Sequence, residues 1–213
     1  MKILIVICSK SPNPELYNCI DKLYKIQIKD NSNYKLCVID SDSLDLTNYE
    51  KIKTDFPDVE LHFIKNKNYE YGAWKYASTT YPNYDIYFCI QDTIIIKNNI
   101  NLDIIDNNTV YTFHHNTGYY SDKGIKEGGI KLLENSGLDF ESLIDTNFTL
   151  AQHSIFIVNN YIMKDIFMTL INPPINKAGS CIYERNFGLY FLIKKINTID
   201  LNKYMDKIHG KRG

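Results

Sequence analysis

Residues 84–97 read YDIYFCIQDTIIIK, where two apolar runs flank Gln91, Asp92 and Thr93. A short apolar run of this kind is typical of a strand that is buried on both faces of a parallel sheet. Because an unpaired buried carboxylate is costly, we expect Asp92 at the end of the strand, facing a cleft. There it could hold a metal ion or a proton, or cap a turn.

Similar apolar runs precede this strand and alternate with helical patterns. The spacing of apolar residues predicts strands at 2–8, 34–40, 59–65 and 84–90, and helices at 15–28, about 45–55 and 70–81. This alternation indicates βαβ units and a mostly parallel sheet.

The second half of the chain is less regular, and no linker or internal repeat separates it from the first. Its apolar patterns predict strands at 109–115 and 152–159 and helices at about 160–171 and 179–195. We therefore expect one α/β domain over residues 1–213, with a central, mostly parallel sheet of about six or seven strands flanked by helices. Residues 1–100 form its regular half and residues 101–213 its more elaborated half and tail.

The composition is that of a globular domain, with 44% hydrophobic and 23% charged residues and a net charge of −1. A charge this small argues against a broad nucleic-acid footprint. Five cysteines without CxxC spacing argue against a zinc or disulfide framework and favour a reducing, cytoplasmic setting. The N-terminus reads as a core strand rather than a signal peptide, and no apolar stretch is long enough to span a membrane.

Polar residues follow every strand of the first half. In parallel sheets, ligands bind beyond the carboxyl ends of the strands, so this edge is the expected site. The strand ends carry Ser9-Lys10, Asp40-Ser41-Asp42, residues 65–68, and Gln91-Asp92.

The second strand end allows two simpler interpretations. LCVIDSDSL (36–44) resembles the nucleophile strand of haloacid-dehalogenase phosphatases, in which Asp40 would attack phosphorus and Asp42 would act as acid and base. That motif normally lies on the first strand, and no later Gly-Asp-x-x-x-Asp completes it. Alternatively, Asp40 or Asp42 caps the next helix.

Taken together, the four strand ends resemble the GT-A class of nucleotide-sugar glycosyltransferases. The resemblance implies that Asp40 contacts the base and that Asp92 binds the metal and serves catalysis, although the class commonly has Asp-x-Asp where this chain has Gln91-Asp92. The other implied donor contacts are Cys8, Ser9, Lys10, Asn68, Gly72, Ala73, Trp74 and Gln91. For Trp74, a place in the core is the alternative.

More narrowly, the chain resembles the small GT-A domains of chlorella-virus glycosyltransferases that build capsid glycans. This implies a UDP-sugar donor, a glycan or glycoprotein acceptor, the host cytoplasm, and a domain cut from a longer polypeptide.

The resemblance also implies a divalent cation. A departing nucleotide diphosphate needs its charge neutralised, and Mn²⁺ or Mg²⁺ can do this with few protein ligands because the phosphates supply oxygens. In several enzymes of the class a C-terminal histidine folds onto the metal. His209 would take this role here, with Lys207, Lys211 and Arg212 on the diphosphate. An imidazole ligand favours Mn²⁺. The alternative is a frayed terminus.

The acceptor side is assigned to the second half. An inverting enzyme needs a base for the acceptor hydroxyl, and Glu184 is the candidate, with Arg185 holding it or a phosphate. Tyr119 and Tyr120 could flank the acceptor sugar, and His153 could line its pocket or simply pack. A surface pair on a helix, a retaining enzyme without this base, and a non-catalytic nucleotide- or glycan-binding module remain open alternatives.

Overall fold

The computed structural model describes residues 1–10, 12, 14–29, 31–114, 117–118, 123–143 and 145–208. The first half contains β1 (Ile3–Ser9), α1 (Pro14–Leu23), β2 (Tyr34–Asp40), α2 (Thr47–Asp55), β3 (Glu60–Phe63), α3 (Tyr69–Thr80), β4 (Ile86–Gln91) and β5 (Ile94–Ile96). The second half contains β6 (Thr109–Thr112), β7 (Thr117–Gly118), α4 (Lys123–Leu133), β8 (Phe148–Thr149), β9 (Phe156–Asn159), α5 (Asn160–Thr169), α6 (Lys177–Ile193), β10 (Asn197–Asp200) and β11 (Met205–Lys207).

Seven strands form the central sheet in the order β10-β6-β9-β4-β1-β2-β3. Strand β9 runs antiparallel to both neighbours, and the other strands share one direction. The predicted α/β fold with a mostly parallel sheet of six or seven strands is thus confirmed. Two further strand pairs, β11 with β5 and β7 with β8, lie outside this sheet.

Strand β1 lies inside the sheet, between β4 and β2, and both of its faces are buried. Leu4, Val6 and Cys8 pack on the face covered by α3, α5 and α6, and the alternate residues Ile3, Ile5 and Ile7 pack against α1. Side chains alternate between faces along a strand, so a continuous apolar run is what a strand between two helical layers requires.

The register of the sheet brings the polar strand ends level with one another. Ser9 of β1 pairs with Asp40 of β2, and Cys8 pairs with Gln91 of β4. The carboxyl ends of three strands therefore meet at one edge, as the sequence predicts.

Several element boundaries differ from the sequence predictions. The predicted helix 15–28 is α-helical only to Leu23 and continues as a π-helical turn over Tyr24–Ile28. The predicted strand 152–159 begins only at Phe156, because His153 and Ser154 have φ angles of 57° and 56°, which are incompatible with a strand.

Strand β5 corresponds to the apolar run after Asp92, whereas the short strands β7, β8, β10 and β11 have no counterpart in the sequence predictions. Such two- to four-residue strands acquire their hydrogen bonds from distant partners, so local patterning is a poor guide to them. Within the described residues, no helix has the length and apolarity needed to cross a bilayer. All five cysteines are free thiols, and four of them are buried.

Candidate active site

The ends of β1, β2 and β4 are joined by a compact set of hydrogen bonds around Asp92. The Ser9 hydroxyl donates to Asp92 Oδ2 at 2.9 Å, and the Asp92 amide donates to the Cys8 carbonyl at 3.2 Å. The Ser41 amide donates to the Ser9 carbonyl at 2.8 Å. Asp92 is only 7% exposed and lies in the turn between β4 and β5. Its carboxylate is therefore held in a defined position at the sheet edge.

Asp40 is anchored in the loop that follows β2. Its Oδ2 accepts from the Ser43 amide at 2.9 Å, and its Oδ1 accepts from the Tyr49 hydroxyl at 2.8 Å and from the Ser43 hydroxyl. Asp45 accepts from the Thr47 amide where α2 begins, so the hypothesis that Asp40 or Asp42 caps this helix is wrong.

The loop between β3 and α3 carries an asparagine that lies against a glycine. Asn66 Nδ2 donates to the Ser41 hydroxyl at 3.1 Å, and Asn66 Oδ1 accepts from the Asn68 amide at 2.9 Å. A Cβ added to Gly72 would lie 2.0 Å from Asn66 Oδ1, so a side chain at this position would have to displace Asn66. Asn68 in turn donates to the Pro174 carbonyl at 2.9 Å. This hydrogen bond links the loop between β3 and α3, the predicted donor loop, to the segment before α6.

The structure corrects one part of the donor prediction. Ala73 and Trp74 are fully buried and pack in the core, where the Trp74 indole donates to the Ser154 carbonyl at 3.0 Å. These side chains have no surface to offer a ligand. Cys8 is also buried, with its sulfur 3.3 Å from the Ser41 hydroxyl, and burial raises the pKa of the Cys8 thiol. Lys10 is exposed just beyond β1.

A polar row crosses the end of β4 beside Asp92. The Gln91 side-chain amide donates to the Glu70 carboxylate and to the His153 carbonyl, and its oxygen accepts from Lys207. The Lys207 ammonium also donates to the Thr93 hydroxyl at 2.7 Å. Strand β11 thus brings a cation to the turn that contains Asp92.

Glu184, on α6, and His153, in the turn before β9, face each other. Glu184 Oε1 lies 3.9 Å from His153 Nδ1, and both side chains are about one-fifth exposed. Burial raises the pKa of Glu184 to about 7, and the charge of Glu70 adds to this, while the His153 amide, Arg185 and Lys177 oppose it. A carboxylate with this pKa can accept a proton near neutral pH.

Arg185 follows Glu184 on α6 but turns back along its own helix. It is half-buried, and its guanidinium donates to the Cys181 carbonyl at 3.1 Å. The predicted contact of Arg185 with Glu184 or a phosphate stays a prediction.

The described residues do not form a complete metal cage. Among them, no group of three or more His, Cys, Asp or Glu side chains is close enough to hold a metal ion. Asp92 supplies one carboxylate, which fits a cation held mainly by diphosphate oxygens and not a preformed protein site. The predicted residues His209, Lys211 and Arg212 lie outside the described residues, as do Tyr119 and Tyr120. The last described residue before this tail, Ile208, donates its amide to the Thr93 carbonyl at 2.9 Å.

Sequence reasoning placed Ser9, Asp40, Gln91 and Asp92 correctly at one edge, but it assigned no role to Glu70. This glutamate lies in the first turn of a helix, where acidic residues are ordinary. Its burial, at 8% exposure, is the informative property, and the sequence does not display it.

Comparison with solved structures finds this architecture in several glycosyltransferases. TarS (residues 1–349) from S. aureus, in complex with UDP-GlcNAc, is 13% identical with a TM-score of 0.58, over 99% of this chain and 60% of that chain. The mannosyltransferase PcManGT from Pyrobaculum calidifontis, in complex with GDP-Man and Mn²⁺, is 10% identical with a TM-score of 0.56, over 100% of this chain and 58% of that chain. The bifunctional glycosyltransferase WbbM is 15% identical with a TM-score of 0.54, over 94% of this chain and 39% of that chain.

This chain therefore spans three-fifths or less of the length of each of these structures. No protein-family model matches the sequence, and the search of curated proteins also gave no match. Identities this low establish likeness of fold alone. The chain has the fold of the GT-A-like glycosyltransferases.

Proposed function

We propose that this chain is a glycosyltransferase domain that moves a hexosyl or deoxyhexosyl group from a UDP-sugar to a hydroxyl of a glycan or glycoprotein. The observation that carries the proposal is the meeting of Ser9, Asp40 and Asp92 at the carboxyl edge of a GT-A-like sheet. Glu184, a carboxylate suited to accept a proton, stands on the helix layer beside this edge.

On the donor side, Asp40 is the residue we assign to the base and Asp92 the residue we assign to the diphosphate. Ser43 and Tyr49 hold the Asp40 carboxylate, so a base would meet an acceptor group of fixed orientation. Lys207 places a positive charge beside Asp92. A bound Mn²⁺ or Mg²⁺ would supply further charge neutralisation as the nucleoside diphosphate leaves.

On the acceptor side, Glu184 accepts the proton of the attacking hydroxyl. The hydroxyl oxygen forms the new bond to C1 of the sugar while the bond from C1 to the diphosphate breaks. Because the pKa of Glu184 is about 7, a substantial fraction is deprotonated at neutral pH and still basic enough to take the proton. This role belongs to an inverting reaction.

The phosphatase alternative lacks a magnesium site. Among the described residues, no group of three or more acidic, histidine or cysteine side chains could hold the metal ion that such a phosphatase needs. A binding module without turnover would keep the donor contacts and would not depend on Glu184.

The finer implications of the resemblance remain proposals: a chlorella-virus origin, a capsid-glycan acceptor, a cytoplasmic setting and a longer parent polypeptide. None of them is needed for the donor-side chemistry.

The first experiment is thermal unfolding with UDP, GDP, CDP and ADP, each with and without Mn²⁺. A ligand that binds only the native state raises the melting temperature according to its concentration and affinity. We expect stabilisation by UDP that increases with Mn²⁺, and a loss of preference among the nucleotides in Asp40→Ala. No stabilisation by any nucleotide would overturn the proposal. Stabilisation without transfer from any UDP-sugar would favour the binding module.

A further inference from the structure

Glu70 is a buried carboxylate for which the proposed reaction has no assigned use. It lies in the first turn of α3 and is 8% exposed. Its Oε2 accepts from the Ser180 hydroxyl at 2.9 Å, and its Oε1 accepts from the side-chain amide of Gln91. One carboxylate therefore joins three separate elements, namely α3, the end of β4 and the first turns of α6.

The Gln91 contact leads to the donor side. The Gln91 amide group also donates to the His153 carbonyl at 3.2 Å, and its oxygen accepts from Lys207. With its nitrogen held by Glu70, the amide must present its oxygen to the lysine, because an amide has one end that donates and one that accepts. Glu70 and the His153 carbonyl together therefore orient the amide that accepts from Lys207, a lysine that also donates to Thr93.

The Ser180 contact leads to the acceptor side. Ser180 lies four residues before Glu184 on α6, and residues four apart share one face of a helix. The charged and titratable groups around Glu184 are His153 from the turn before β9, Glu70 from α3, and Arg185 and Lys177 from α6. Two of these groups also meet Gln91, Glu70 through its side chain and His153 through its main-chain carbonyl. The Glu70 contact is the one that a side-chain substitution removes.

We propose that Glu70 is a positioning residue that ties the donor side of the site, through Gln91, to the helix that carries Glu184, through Ser180. The inference rests on the proposed function for its catalytic consequence but not for its geometry. A neutral glutamine at this position would keep the volume, yet one of its two ends would meet its partner with a donor where the carboxylate has an acceptor. It would also remove the negative charge that acts on Glu184.

A purely structural role for Glu70 makes a different prediction. If its two hydrogen bonds only stabilised the fold, Ser180→Ala would lower the melting temperature and leave the titration of Glu184 unchanged. A positioning role requires that the titration midpoint of Glu184 moves when the hydrogen bond between Glu70 and Ser180 is lost.

The deciding experiment is a ¹³C NMR titration of the Glu184 carboxyl group in the wild type, Glu70→Gln, Ser180→Ala and Glu134→Gln, with the signal assigned from Glu184→Gln. Glu134 is exposed, so its variant removes the same charge at a surface position. We expect the Glu184 midpoint to fall by roughly half a pH unit or more in Glu70→Gln, because a like charge is lost. It should also move in Ser180→Ala, which breaks the hydrogen bond to α6 without removing a charge, and it should stay near the wild-type value in Glu134→Gln.

An unchanged midpoint in Ser180→Ala would overturn the inference, because the fall in Glu70→Gln would then be an effect of the lost charge and not of the hydrogen bond to α6. An unchanged midpoint in Glu70→Gln would overturn it as well. The titration uses no substrate. Absence of transfer activity in the wild type would therefore count against the proposed function, while the titration would still decide the role of Glu70. Where transfer is measurable, the acid limb of its pH profile should move down with the Glu184 midpoint in Glu70→Gln.

Discussion

The two halves of the chain build their parts of the sheet in different ways. Strands β1 and β2 of the first half are seven residues long and pair in parallel along their full length. Strands β6, β9 and β10 of the second half have four residues each, and β9 is reversed. The first half supplies Asp40 and Asp92, whereas the second half supplies Glu184, His153 and Lys207. A regular scaffold thus holds the donor-side carboxylates, whereas the irregular half holds the acceptor side and adds Lys207 to the donor side.

The two halves also differ in what an added side-chain atom would meet at a buried glycine. Around the donor side, the close contacts involve side chains, such as that of Asn66 against Gly72. In the second half, Gly188 of α6 lies against the backbone of β8, with the Thr149 carbonyl 2.2 Å from the place a Cβ would occupy. Side chains can rotate away from a new atom, but a packed backbone has to shift as a whole.

The largest expected effect is on the donor side. Asp92→Ala should abolish the Mn²⁺-dependent stabilisation by UDP, because the one carboxylate assigned to the diphosphate is removed. With UDP at 100 times its Kd, the wild type should gain about 2.7 kcal/mol, or a rise of roughly 5–10 °C in melting temperature. Asp103→Ala, at an exposed position, is the matched control and should keep this gain. Equal stabilisation of both variants would remove Asp92 from the site.

On the acceptor side, Glu184→Gln should reduce transfer by about 10²-fold or more, because the base is lost. The same variant should be more stable than the wild type at pH 8. The pKa of Glu184 is raised to about 7 in the folded chain, so the folded state binds more protons than the unfolded state from about pH 4.5 to 7.

The free energy of unfolding of the wild type should therefore fall through that pH range, by about 1–3 kcal/mol, and the variant should lack this fall. Urea unfolding at pH 5 and pH 8 measures it, with the exposed Glu141→Gln as the control. A wild type and a Glu184→Gln variant with the same pH dependence would mean that Glu184 is not shifted.

Two glycine substitutions compare the halves directly. Gly188→Ala should lower the free energy of unfolding by about 1–3 kcal/mol, since α6 and β8 must separate to admit the methyl group. Gly72→Ala should change stability little, because Asn66 can rotate, but it should weaken UDP binding by disturbing the donor loop. Chemical denaturation and the UDP-induced shift in melting temperature separate the two effects. The reverse pattern would contradict the comparison.

The smallest effect should come from Trp74→Phe. It removes the hydrogen bond to the Ser154 carbonyl and should lower the free energy of unfolding by about 1 kcal/mol. Because Trp74 is buried in the core, the affinity for UDP should not change. A weaker UDP affinity in a fully folded variant would restore the donor contact that the sequence suggests for this residue.

The sequence by itself determined the regular part of the molecule. Long apolar runs separated by helical spacing specify strands buried between two helical layers, and that arrangement leaves only the strand ends free to be polar. Asp40 and Asp92 could be placed at one edge for this reason. The mostly parallel direction of the sheet followed from the same alternation.

Only the tertiary structure decided which of the remaining polar residues meet. Glu70, Ser180 and Lys207 lie on α3, α6 and β11, and nothing in their local sequence indicates that Gln91 and Thr93 are their partners. The sequence left Trp74 open for the same reason, because a residue beside a ligand loop can face either the cleft or the core, and the structure places it in the core. Local patterns report which face of an element is apolar, whereas burial and hydrogen-bond partners depend on how distant elements pack together.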